Sequence, residues 1–262
     1  MRILPTVRAQ LSPDLQSSLD ELEARWELLA ELRRHPFTWD PPESSAELFD
    51  HYLRALYAVY VNKLFALTDA LIYALNTENF LLYGSIARAS LEYTAVLRYY
   101  VLQKTLPLLN TTDADGNLTP ETQQTLLEFL DQHLRGGRYD WQPFLFEELH
   151  LKGSKLPPPP TQVNILTCLK KWMKQDSTIE PQYALYCDLV HPNLGSSLLV
   201  TRLQDEHVQI GGQGGTALGW HIFSRTFPQL WQALQEIPSC LAQLRELQGR
   251  LQPGQPTGQT DS

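Results

Sequence analysis

The sequence predicts a mainly α protein: a helical bundle built on a long antiparallel helix hairpin, with a small β-hairpin near residues 197–210. Three observations carry this. Apolar residues recur at helical spacing through most of 45–105, with a polar break at Asn76 and Thr77. Start and stop residues, among them Ser12-Pro13-Asp14, Thr119-Pro120-Glu121 and Gly136-Gly137, bracket further periodic runs. The stretch SSLLVTRLQDEHVQIGG has β-branched and apolar runs either side of Gln204-Asp205-Glu206, which reads as strand, turn, strand.

Taken in order, a single α-helical domain covers 1–252. The first helix, 12–35, starts at the Ser12 cap with Pro13 in its first turn, carries Leu15, Leu19, Leu22, Trp26, Leu29 and Leu32 on one stripe, and stops at His35-Pro36. The central hairpin, 45–105, has a first arm capped by Ser44-Ser45. Its buried stripe is Leu48, Tyr52, Leu56, Tyr60, Leu64, Leu67 and Leu71. Its second arm, Thr77 to Thr105, is apolar on more than one face, with Gly84, Ser85, Ala87 and Ala89 keeping it narrow for close neighbours. Pro107 is expected to end it. The insertion at 107–160 holds a helix between Pro120 and Gly136, a short helix over 141–151, and the stiff tract Leu156-Pro157-Pro158-Pro159-Pro160. The C-terminal helices, 161–252, comprise one over 161–175, a short one opened by Pro181 and stopped by Pro192, and a last region interrupted at Pro228 and Pro238. Residues 253–262, PGQPTGQTDS, read as a disordered tail.

With 262 residues and 43% hydrophobic content the chain can bury a core. Its net charge of −8 argues against a general electrostatic grip on nucleic acid, the basic cluster being Lys152, Lys155, Lys170, Lys171 and Lys174. Cys168, Cys187 and Cys240 are odd in number and widely spaced, which fits a reducing cytoplasm and gives neither a disulfide framework nor a zinc site. No run long enough to span a membrane is expected, because Asn62, Lys63, Asp69 and Arg88 interrupt the apolar stretches.

The candidate site consists of Arg88, Glu92, Asp188 and His191. Arg88 and Glu92 are an i,i+4 pair in an otherwise apolar helix, so their charges need partners where they are buried. Asp188 and His191 are three apart at a helix end, which places a carboxylate near an imidazole able to act as acid or base, or to cap the last carbonyls. Other patterns are weaker. Glu147-x-x-His150 and Asp188-x-x-His191 imitate half of a di-metal carboxylate bundle but lack its full ligand set, and Asp113 to Gln124 fails as a calcium loop. No metal site and no cofactor motif is expected.

SIARASLEY, with Arg88 and Glu92, together with YALYCDLVHPN, from Tyr183 to Asn193, resembles a group of bacterial all-helical proteins of uncharacterised function. These pair an "aRsllE" helix with a downstream "vHp" helix and a short hairpin. Some look HEPN-like, which implies a dimerising helical bundle that cuts RNA or binds nucleotides in stress or antiphage defence. The one R-x4-H match, Arg202 to His207, falls across the predicted hairpin instead of on a helix. Two functions follow as expectations: a HEPN-like RNA-cleaving or nucleotide-binding effector with the four site residues near one pocket, or a non-catalytic helical protein acting through a homodimer or another protein partner.

Overall fold

The computed structural model describes residues 2–38, 45–109, 119–136, 160–204, 207–210 and 216–250. The chain is mainly helical: α1 (Pro5–Arg8), α2 (Pro13–Leu32), α3 (Ser45–Asn76), α4 (Phe80–Arg98), a π-helical segment (Tyr99–Thr105), α5 (Leu106–Leu109), α6 (Pro120–Arg135), α7 (Ile165–Met173), α8 (Ile179–Val190), α9 (Leu194–Leu198), α10 (Thr216–Leu234) and α11 (Glu236–Arg250). Two short strands, β1 (Thr201–Gln204) and β2 (His207–Ile210), pair antiparallel with Thr201 opposite Ile210. The expected short helix at 141–151, the polar loop at 110–118, most of the proline tract and the tail lie outside the described residues.

The centre of the molecule is α4, which packs against α3, α7, α8, α10 and α11. Its sequence explains that position. Tyr83, Ala87, Leu91 and Leu97 are fully buried, and the small residues let two neighbours approach: a Cβ on Gly84 would already stand 3.0 Å from the Leu189 Cβ of α8. Around it Leu19, Leu56, Ile72, Leu75, Trp172, Tyr186, Phe223 and Phe227 form one continuous core.

Between α3 and α4 the chain turns through Glu78, which takes a left-handed backbone (φ 51°), and Asn79, whose side chain accepts the Leu82 N–H at 3.0 Å. Lys63 of α3 reaches Tyr93 of α4, with its Nζ 4.9 Å from the ring centre.

Prolines mark the ends of helices less faithfully than expected. Helix does not stop at Pro107: it widens into the π segment, where the Leu106 N–H donates to the Val101 carbonyl five residues back, and runs on through α5. That wider turn accommodates a residue with no N–H of its own. Pro228 lies inside α10 without ending it. The break falls at Gln235, and Pro238 then occupies the first turn of α11, where an N–H would have no intrahelical acceptor. Ser12 does precede α2, yet its side chain makes no capping hydrogen bond. The expectation that no stretch is long and apolar enough to cross a membrane is also corrected. By length and composition alone Glu47–Asn76 is long and apolar enough to do so, with 39% of its most apolar stretch buried inside the fold.

Candidate functional site

Helix α4 presents Arg88 and Glu92 toward α8, where Tyr183 meets them. The Arg88 Nε donates to Glu92 Oε1 at 2.9 Å, and the Tyr183 hydroxyl donates to the same oxygen at 2.9 Å. The guanidinium carbon stands 5.7 Å from the centre of the Tyr183 ring. The pair is partly covered, with 29% and 22% of the two side chains exposed. Burial alone would lower the Arg88 guanidinium, but the hydrogen bond and charge of Glu92, helped by Tyr183, outweigh it and raise it. Burial, then the Glu92 hydrogen bond, pushes the Tyr183 phenol up to about 12. At neutral pH Arg88 is charged and the Tyr183 phenol protonated, and both donate to the one oxygen, Glu92 Oε1.

Asp188 and His191 have other surroundings. Asp188 Oδ1 accepts from Asn193 Nδ2 at 2.5 Å, and the Asn193 N–H donates to Ser196 Oγ at 3.2 Å at the start of α9. Gly195 lies so close that a Cβ there would collide with the Asp188 carboxylate and stand 2.9 Å from its carbonyl oxygen. Asp188 therefore pins the corner between α8 and α9. His191 is the exposed C-cap of α8: its backbone N–H donates to the Cys187 carbonyl at 3.0 Å, and its imidazole forms no ion pair with Asp188. Gly84 meets Leu189 while Glu92 meets Tyr183, so α4 and α8 run in opposite directions. His191, eight residues beyond Tyr183, lies about 12 Å further along that helix by its rise. The structure thus joins Arg88 and Glu92 to each other and to Tyr183, and gives Asp188 to Asn193 instead of His191. Tyr183 belonged to the YALYCDLVHPN motif but had no assigned role; its i,i+4 spacing to Cys187 was the available sign of a face turned toward α4.

Glu92 also borders a cleft of about 260 Å³ lined by Tyr60, Lys63, Tyr93 and His133. His133 was not singled out from the sequence, although it continues the buried Leu126 and Leu130 stripe of α6. Its Nε2 bonds the Tyr60 hydroxyl at 2.8 Å, and its Nδ1 is buried without a hydrogen-bond partner. Burial, then the Lys63 charge, pushes the imidazole down to about 3. Burial also lowers the Lys63 ammonium.

Arg202 and His207 lie on the two paired strands, not on one helix. Cys168 and Cys240 are buried free thiols pushed up to about 11, which leaves neither ionised at neutral pH. Among the described residues no three His, Cys, Asp or Glu side chains gather as metal ligands, and Glu147 and His150 lie outside them. Comparisons with protein-family models, curated proteins and solved structures find no match.

Proposed function

We propose that this chain is a non-catalytic helical protein that acts by binding a protein partner, a second copy of itself or another chain. The observation that carries the reading is the α8–α9 corner. It is built rigidly by Asp188, Asn193 and Gly195, yet what it presents outward is apolar: Leu194 is 72% exposed, Leu198 41% and Val200 48%. Large apolar side chains grouped on an ordered corner mark an interaction surface. On this reading the HEPN-like resemblance is one of architecture, a bundle on an antiparallel α3–α4 hairpin with a small β-hairpin after α9, and the three free thiols fit a cytoplasmic setting. The Arg88–Glu92–Tyr183 cluster fixes how α8 sits on α4.

The test replaces Leu194 and Leu198 together by Asp. The wild-type protein is expected to sediment as a dimer or to retain a partner on purification, and the variant to lose that association with its thermal melt unchanged. A second reading, the RNA- or nucleotide-binding effector, is favoured by Lys63 and the partnerless His133 Nδ1 in the cleft beside Glu92. Metal-dependent or metal-independent cleavage of total RNA that falls a hundredfold or more in His133→Gln, as for loss of a general acid or base, would overturn the non-catalytic reading.

A further inference from the structure

On the side of the bundle away from α8, helices α2, α3 and α11 splay around an apolar space of about 250 Å³. Leu22 and Leu29 of α2, Leu64 and Leu71 of α3 and Leu241 of α11 form its walls, and Ser90 of α4 leaves room at its floor. Protein interiors are ordinarily filled to near crystal density, and an apolar cavity of about 150 Å³ is already enough to take up benzene.

One side chain on this wall is charged. Arg25 follows Leu22 and precedes Leu29 on the same stripe of α2, so its stem shares their face while its head reaches the end of α10. There it donates to the Leu234 carbonyl at 3.3 Å and to Gln235 Oε1 at 2.5 Å, with its guanidinium carbon 4.1 Å from the centre of the Trp231 ring. Both acceptors are neutral. The acid one turn away, Glu21, is itself engaged, accepting the Trp231 indole N–H at 2.8 Å. Burial lowers the Arg25 guanidinium, and the charge of Glu21, one turn away but not ion-paired with it, acts in the opposite direction. A guanidinium presents five donors, and two hydrogen bonds to neutral oxygens leave donors unused, while the Trp231 ring and Glu21 offset only part of its charge. Capping the end of α10 accounts for the two bonds. It does not account for the remaining donors or for the apolar space beside them.

We propose that this cavity binds a free medium-chain fatty acid, its alkyl tail among the leucines of α2, α3 and α11 and its carboxylate on the guanidinium of Arg25. The tail fits because the walls are apolar, and the head fits because Arg25, the one charged side chain among the described lining residues, hydrogen-bonds only neutral acceptors and forms no ion pair there. Leu28, 60% exposed at the rim, and Ala242 of α11 flank the space.

Isothermal titration of the full chain with decanoate and with decanol tests this without any mutation. Decanoate is expected to bind saturably, one molecule per chain, and decanol about tenfold to a hundredfold more weakly, the range for a hydrogen bond to a charged group. Arg25→Gln is expected to remove that preference while decanol binding persists, which also shows that the variant is folded. Ala242→Phe, a change at an exposed position, is expected to block both. Absence of saturable decanoate binding, or equal affinity for decanoate and decanol in the wild type, overturns the proposal. So does a decanoate affinity unchanged by Arg25→Gln.

Discussion

The cleft beside His133 and the corner beside His191 set the same side chain in opposite surroundings. His133 is enclosed by Tyr60 and Tyr100, with ring centres at 5.4 and 4.5 Å, is bonded to the Tyr60 hydroxyl, and is held neutral down to about 3. His191 stands exposed at the end of α8, three residues from an acid whose carboxylate faces Asn193. The His133 imidazole is tuned by enclosure between side chains from other helices, and those helices are remote in sequence.

The largest effect that can break this comparison lies at the corner. Gly195→Ala puts a methyl group into the Asp188 carboxylate and beside its carbonyl, and is expected to destabilise by about 3 kcal/mol, at the upper end for overpacking. Denaturant unfolding measures it. A loss below about 0.5 kcal/mol would mean that the corner is soft and that the direction in which Leu194 and Leu198 point is not fixed.

Next in size is the acid response of the cleft. The unfolded His133 ring takes up its proton near the ordinary histidine value of 6.5, whereas the folded ring stays neutral until about 3. Between those values the unfolded chain binds the extra proton, so stability falls as pH falls. From pH 6.5 to 5, above the range where most carboxylates titrate, the loss is about 2 kcal/mol. His133→Gln is expected to flatten that slope, as read from unfolding midpoints across the pH range. A slope unchanged from the wild type would show that the cleft does not hold this ring neutral.

The smallest effect belongs to the bridge that links the two regions through Glu92. Tyr183→Phe removes one donor from a partly exposed carboxylate and is expected to cost about 1 kcal/mol. Arg88→Met is expected to cost about 0.5 kcal/mol, because a third or less of each side chain is exposed but solvent still screens the pair. A cost several times larger for Arg88→Met would identify a buried pair holding α8 in place, and would sharpen the contrast with the solvated corner.

Much of the architecture was readable in the chain. The Ser45–Asn76 helix was legible because one polar break and an uninterrupted 3.6-residue stripe are local signals, and Arg88 with Glu92 was legible because four residues along a helix is one turn. Tyr183 on Glu92 was not: 91 residues separate them, and no local pattern reports that contact. His133 was hidden for a related reason, since its enclosure depends on Tyr60 of α3 and Tyr100 of the π segment, neither of which α6 specifies. Prolines misled because their cost depends on the position of the missing N–H. Pro238 falls where none is needed, and Pro107 follows a turn already widened.

That widened turn acts as a phase setter for everything downstream of Arg98. A π segment holds more backbone per turn than the α-helix on either side, and each residue of an α-helix advances the side chains by about 100° around the axis. Winding the same seven residues of Tyr99–Thr105 as ordinary α-helix would therefore swing the start of α5 about a third of a turn away from α6. The wider turn absorbs the surplus, so the length of chain between Arg98 and Leu106 is a setting of angle for α5 on α6.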